Sequence, residues 1–265
     1  MGTQPTIADL SVFYDRTLSA QGNPCRVVTG TPKSSGCLEE SEVPTRCFLE
    51  TRTGPDTIVS CFSANGREIN CCGHGMLAAA YLLHNNTGKT QGLIHSGAVQ
   101  IPWHACRELH WIRLPSITVT PTQAPPWLTE LFGDATPLAA ATAGGDSDYL
   151  VVQWPDGFDL SQLPAPGMLA KYTQRALIAT CESRYSHHLA HIESRYFAPQ
   201  YGVAEDLGTG SAMRVLALYW QQRGLGTQLS NYQRSTSGSL LFSEITDARH
   251  VNVGGRIAPM DRSSV

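Results

Sequence analysis

Asn70-Cys71-Cys72-Gly73-His74-Gly75-Met76-Leu77-Ala78-Ala79-Ala80-Tyr81-Leu82-Leu83 is the stretch on which the rest of the chain turns. Gly73 and Gly75 bracket a histidine, and a cysteine stands just before them. The apolar run that follows is long enough for a helix and ends at Asn85, Asn86 and Gly88. Glycines let a backbone come close to a ligand. A helix start carries free N–H groups and a positive dipole end, which suits a carboxylate or phosphate. A thiol placed there favours its thiolate. Residues 76–83 are apolar all round, which predicts a buried helix rather than an amphipathic one.

A second stretch answers the first. Asp206-Leu207-Gly208-Thr209-Gly210-Ser211-Ala212 opens another apolar helical run, Met213 to Trp220, ended near Gly224. At an offset of 135 positions Gly73 meets Gly208, Gly75 meets Gly210 and Phe62 meets Phe197. This is read as a duplicated unit of strand, Gly-x-Gly turn and central helix.

Composition limits the rest. The chain has 265 residues and a net charge of −3, with no basic block, so neither nucleic acid nor an anionic membrane is expected as a partner. No apolar stretch has the length of a membrane span. Residues 1–10 lack signal-peptide features, and the eight cysteines form no disulfide-scaffold pattern. The expected setting is therefore cytoplasmic and reduced. A homodimer is the expectation for a small metabolic enzyme.

Along the chain, strands are expected at 10–14, 25–28, 46–51 and 57–63, then at 92–96, 98–103 and 109–114. Turns are expected at Gly22-Asn23-Pro24, at Thr53-Gly54-Pro55-Asp56 and at Asn65-Gly66, a loop at 31–36, and a helix start or polar loop at 37–42. Four prolines make Pro115 to Trp127 the boundary candidate. Beyond it come a short helix to Phe132 and strands at 149–154, 176–181, 187–197, 240–245 and 250–257. The predicted fold class is α+β, with two pseudo-symmetric halves, each a strand-rich barrel-like sheet around a central helix. The N-terminal half takes residues 1–117, joined by the final strand at 250–265, and the C-terminal half takes 118–249.

Cys72 and His74 are the first candidates for chemistry, against the plainer reading of a small core cysteine and a structural histidine. On a strand Cys71 would face the other way, so only one of the two cysteines reaches the site. Asp206 is the second candidate, as an acid/base group at a ligand-binding turn. The plainer reading makes Glu205 and Asp206 helix N-terminal charge, and Thr209 and Ser211 helix caps. No zinc spacing is present: Cys71, Cys72 and His74 lack it, and His187 and His188 are adjacent. Phosphate-loop and dinucleotide fingerprints are absent too.

At these residues the sequence resembles the PhzF-like isomerases and epimerases, which share the fold of diaminopimelate epimerase and proline racemase. Residues 62–83 and 195–220 carry the resemblance, with Gly22-Asn23-Pro24 near the start. It implies an active site in the cleft between two halves, no cofactor, no metal, and proton transfer on a small amino-acid-like carboxylate, in secondary metabolism by expectation. His74 falls on the family's Gly-His histidine, and Asp206 and Ser211 fall on positions that contact substrate. Cys72 falls on the first catalytic cysteine of the racemases. Two positions depart from the pattern: Thr45 holds the place of the PhzF-like glutamate, and Leu207 that of the racemases' second cysteine.

With no facing thiol, one-sided chemistry is expected: a double-bond shift or tautomerisation in which Asp206 and His74 matter more than Cys72. Gly73, Gly75, Gly208, Thr209, Gly210, Ser211 and Thr45 are the expected substrate contacts. The alternatives are an amino-acid epimerase or racemase using Cys72, and a non-catalytic member that only binds a small acid.

Overall fold

The structure is a computed structural model that describes residues 6–29, 43, 45–51, 57–63, 66, 68–69, 72–133, 135–185 and 189–260. The loop expected at 31–36, the segment 37–42, the turn at 53–56, Asn65, Cys71, His187 and His188 lie outside the described residues.

The first part of the chain runs through strands β1 (Ile7–Val12), β2 (Asn23–Thr29), β3 (Thr45–Thr51) and β4 (Thr57–Ser63) into helix α1 (Gly73–Thr87). Strands β5 (Gln91–Ser96), β6 (Val99–Cys106) and β7 (Leu109–Pro115) follow. The second part runs through β8 (Val119–Thr122), α2 (Leu128–Phe132), β9 (Ala139–Ala143), β10 (Tyr149–Gln153), α3 (Leu169–Tyr172), β11 (Ala176–Glu182) and β12 (Ile192–Phe197). It then reaches α4 (Gly210–Gln221) and ends with β13 (Gln228–Gln233), β14 (Ser239–Asp247), β15 (His250–Gly255) and β16 (Ile257–Pro259).

These strands form one continuous sheet in the order β16-β1-β2-β3-β4-β5-β6-β7-β15-β14-β13-β12-β11-β10-β9-β8. The order folds onto itself about the β7–β15 pair, which is antiparallel. From β16 to β7 the neighbours pair antiparallel, antiparallel, parallel, antiparallel, parallel, antiparallel, antiparallel. From β8 to β15 the same sequence of senses repeats. In each half the central helix fills the second parallel crossover, because a parallel pair cannot be joined by a tight hairpin. The chain is thus two pseudo-symmetric α+β halves, each wrapped around its own helix.

Helix α1 packs against every strand from β1 to β7. Its residues from Gly73 to Ala80 are all buried, as is Leu83. That is what an all-round apolar helix must do, since it has no polar face to offer water. Each large side chain such as Met76 or Leu77 contributes about 1.5–3 kcal/mol by leaving water. Gly88 ends the helix in the left-handed conformation, with its N–H on the carbonyl of His84. Helix α4 packs against β8, β13, β14 and β15. There Trp220 Nε1 donates to Thr180 and the Tyr219 hydroxyl to Gln153, so both buried aromatics keep their polar ends paired. A smaller core cluster, including Leu128, Phe132, Trp154 and Phe197, lies under α2.

Three strands were not foreseen, and the expected closing strand at 250–257 divides at Arg256 into β15, which pairs with β14 and β7, and β16, which pairs with β1. The proline-rich stretch 115–127 holds β8, whose Val119 is buried, so it is an edge strand rather than a loose linker. Pro121 is tolerated because edge strands leave one side unpaired. β9 is an alanine-rich run with little intrinsic strand preference, and β13 lacks clear alternation; both are strands because the sheet pairs them on both sides. No helix among the described residues is long and apolar enough to cross a membrane.

Candidate active site

The two helix starts face each other. Gly73 is the first residue of α1, with Cys72 as N-cap, and Gly210 is the first residue of α4, with Thr209 as N-cap. A Cβ on Gly73 would lie 3.1 Å from Gly210 Cα and 3.2 Å from the Ser211 nitrogen. The equivalent helix residues are therefore Gly73 and Gly210, two positions away from the Gly73–Gly208 match read in the sequence. Phe62 and Phe197, by contrast, do lie on equivalent strands, β4 and β12. Counted from the matched phenylalanines, the helix starts 11 positions on in the first half and 13 in the second, and that shifts the register by two.

Neither N-cap side chain caps its helix. The Thr209 hydroxyl donates instead to Asp206 Oδ2 at 2.6 Å. Among the described residues, the first-turn N–H groups of both helices, at Gly73, His74 and Gly75 and at Gly210, Ser211 and Ala212, have no hydrogen-bond partner. Two positive dipole ends meet at that place, which favours an anion.

Asp206 sits at the rim of this junction. Asn23 Nδ2 donates to its Oδ1 at 2.9 Å and also to the Gly208 carbonyl at 2.9 Å. Gln233 completes the loop: its amide donates to the Asp206 carbonyl at 2.7 Å and accepts from the Thr209 N–H at 2.8 Å. Ser235 and Ser239 both donate to the Leu207 carbonyl. Burial raises the Asp206 pKa, and the charge of His74 with the Thr209 and Asn23 hydrogen bonds only partly offsets it. Glu205, the neighbouring acid, is clamped by Arg195 through two 2.7 Å hydrogen bonds, so it is a structural ion pair rather than helix-end charge.

Cys72 and His74 form a pair, with Sγ 3.6 Å from Nδ1. The Cys72 thiol is held well below its ordinary pKa, first by hydrogen bonds from Cys47 and Cys61 and then by the charge of His74, against burial. Burial alone would discharge His74, but the Cys72 sulfur outweighs it, with Cys25 and Asp206, and lifts the imidazole to about 10. The favoured state is a thiolate beside an imidazolium, with a proton-accepting carboxyl nearby.

Thr45 opens β3 opposite Ser63 and is buried. Among the described residues no hydrogen bond joins it to Cys72, His74 or Asp206. The residues to which the sequence reading assigns no role are Asn23, which figures there only in a turn and in the family resemblance, and Gln233, which has no local signal. Phe13 is the third. It is fully buried at a φ of 69° and packs its ring against Gly208, Gly210 and Gly255, where a Cβ would collide with it or crowd it.

Residues 18–261 match the family described as phenazine biosynthesis-like protein, PhzC-PhzF. The chain belongs to that family. Among PhzC-PhzF relatives, an uncharacterized isomerase of Vibrio cholerae is 28% identical over 245 residues, covering 89% of this chain and 82% of the relative. An uncharacterized isomerase of Pseudomonas aeruginosa is 27% identical over 260 residues, covering 96% and 95%. A PhzF-family crystal structure from Enterococcus faecalis superposes with a TM-score of 0.82 at 22% identity, covering 97% of this chain and 96% of that one. At that identity the likeness speaks for the fold, which is the two-half architecture described above. The family and its relatives make the protein an isomerase of the PhzF-like kind.

Proposed function

We propose that the protein shifts a proton within a small amino-acid-like carboxylic acid, moving a double bond or interconverting tautomers, without a cofactor. The observation that carries this reading is the junction of two uncapped helix starts beside a half-buried carboxyl and a histidine. The substrate carboxylate docks on the N–H groups around Gly73–Gly75 and Gly210–Ser211. Asp206, with its pKa raised by burial, takes a proton from a carbon made acidic by conjugation. His74, as imidazolium, stabilises the developing anion and delivers a proton to the other end of the conjugated system. Asn23 and Thr209 aim the carboxylate, and Gly208 keeps the loop close to its neighbours. Thr45 takes a substrate contact where the PhzF-like glutamate would stand.

Acid/base help of this kind is typically worth about 10²–10⁴-fold in rate. Incubation with small unsaturated amino acids in D₂O tests the reading: deuterium should enter a ligand with wild type, and Asp206→Asn should abolish its entry. No incorporation into any ligand that binds would sink catalysis altogether and leave a binding protein.

The Cys72–His74 pair favours one second reading, an epimerase in which the thiolate is the base. Chiral analysis of the product separates the two, since only the epimerase inverts a stereocentre.

A further inference from the structure

Cys72 does not stand alone. Behind it, on three different strands, lie Cys25, Cys47 and Cys61. The β3–β4 register sets Cys47 directly opposite Cys61, and their sulfurs are 2.8 Å apart. Cys25 Sγ lies 3.7 Å from that of Cys47. The sulfurs of Cys47, Cys61 and Cys72 all lie within 3.2 Å of the point that a Cβ on Gly75 would occupy. Gly75 makes the room: a Cβ there would fall 2.7 Å from Cys61 Sγ and 3.2 Å from Cys72 Sγ, and would collide with Cys47 Sγ. Each thiol packs as a small hydrophobe, but four adjacent thiols, one of them beside a histidine at a helix start, can also exchange bonds with one another. No grouping among the described residues is arranged to hold a metal ion. Oxidation to a disulfide is the chemistry that adjacent thiols share.

The four differ in reach. Cys25 and Cys47 are fully buried and Cys61 is 1% exposed, whereas Cys72 is 5% exposed and stands at the N-cap position of the helix at the candidate site. We propose that Cys72 is a hydroperoxide-reactive thiol, and that the Cys47/Cys61 pair behind it resolves the oxidised sulfur into a disulfide. In the first step the Cys72 thiolate attacks one oxygen of the peroxide. The O–O bond breaks, Cys72 becomes a sulfenic acid, and the leaving alkoxide or hydroxide takes a proton from His74. In the second step the sulfur of Cys61 or Cys47 attacks the sulfenic sulfur, the S–S bond forms and water leaves. Two thiols are oxidised and one peroxide is reduced. His74 beside the attacked sulfur supplies the acid this needs. Burial keeps Cys47 in its thiol form, so nucleophile and resolving group are already distinguished. The disulfide removes the anionic partner of His74, and so shuts off proton transfer until a thiol reductant restores it. Only this last consequence rests on the function proposed above.

Hydrogen peroxide is the probe, added to the intact protein, with peptide mass mapping and dimedone trapping as readouts. Wild type should lose two free thiols and form a disulfide within the Cys47, Cys61 and Cys72 group, reversed by dithiothreitol. Cys72→Ala should slow any Cys47–Cys61 disulfide at least tenfold. Cys47→Ala/Cys61→Ala should trap dimedone at Cys72 and go on to a sulfinic acid that dithiothreitol cannot reverse. Oxidation confined to the exposed Cys106, or a Cys47–Cys61 disulfide that forms as fast without Cys72, would overturn the proposal; both are read without the double variant, should it fail to fold. A disulfide at Cys72 that leaves deuterium exchange intact would support the thiol chemistry and remove Cys72 from the isomerase site.

Discussion

Gly73 and Gly210 touch reciprocally: a methyl group on Gly73 would lie 3.1 Å from Gly210 Cα, and one on Gly210 would lie 3.3 Å from Gly73 Cα. Reciprocal contact is what a pseudo-two-fold axis demands of the residues that sit on it. Both glycines begin helices, so the axis passes between two positive dipole ends that would repel one another unless something negative lay close.

Alanine at either position tests how tight that contact is. In an open helix Gly→Ala gains about 0.5–1 kcal/mol. Here the added methyl meets opposing backbone, which cannot rotate away, so overpacking at about 1–3 kcal/mol should win. We expect Gly73→Ala and Gly210→Ala to lower Tm by several degrees, at about 2–4 °C per kcal/mol in a chain of this size. An unchanged Tm in both would show that the helix starts have slack.

Asn23 is a positioning residue for Asp206. Its amide lowers the Asp206 pKa and fixes one carboxylate oxygen. Asn23→Ala should therefore raise that pKa further. Because the base works deprotonated, the acid limb of the pH–rate profile should move to higher pH, and kcat/KM near neutrality should fall about tenfold or more, as expected when a hydrogen bond to a charged group worth about 1.5–3 kcal/mol is lost. A uniform drop in rate with the limb unmoved would assign Asn23 to folding alone.

The Cys72–His74 pair has a sign that can be measured. His74 has a native pKa above its unfolded value, so its charged form contributes stability fully below about 6.5, and that contribution fades as pH climbs through about 10. Cys72 is shifted the other way: its contribution is present above the ordinary thiol pKa and is lost as pH falls through its lowered value. Cys72→Ala removes the main upward influence on His74 and leaves burial in charge, so the imidazole pKa should drop. Imidazole ¹⁵N NMR reads this directly, and a His74 that still titrates near 10 in Cys72→Ala would show that the sulfur is not the cause.

Arg195 is nearly buried, grips Glu205 with two 2.7 Å bonds, donates to the carbonyls of Leu160 and Leu163, and lies 4.7 Å over the Phe197 ring. Arg195→Ala strands a half-buried carboxylate beside the site loop and should cost about 3–5 kcal/mol. Arg195→Lys should recover little, because one ammonium cannot make the two-pronged grip. Urea denaturation decides it; full stability in the lysine variant would show that charge alone suffices.

The parts of the molecule legible in the sequence were those encoded locally. The uninterrupted apolar run from Met76 to Leu83 could only be a buried helix, and the two Gly-x-Gly turns marked where the halves meet. The matching of those turns was off by two because loop length before a helix leaves no trace in the helix itself. Asn23 stands in a turn that carries part of the family resemblance, but its role is not legible there, since it depends on a partner 183 positions away. Gln233 had no signal at all. The gathering of Cys25, Cys47, Cys61 and Cys72 follows from β2, β3 and β4 lying side by side under the start of α1, which no spacing between cysteines encodes. Thr209 has the right residue type for a helix cap, yet its hydroxyl goes to Asp206, because a half-buried carboxylate needs a donor more than a helix end does.

The pairing of β1 with β16 has a consequence for how the protein is made. Strands β8 to β15 are contiguous in the chain, so a nascent polypeptide holds the whole second half as soon as residue 255 has emerged. The first half, although synthesised first, lacks its outermost strand until Ile257–Pro259 arrives. The half begun earliest is thus the last to be completed. Until then β1 presents an open edge to neighbouring chains on the same messenger, and elongation rate, rather than stability, decides how long that edge stays uncovered.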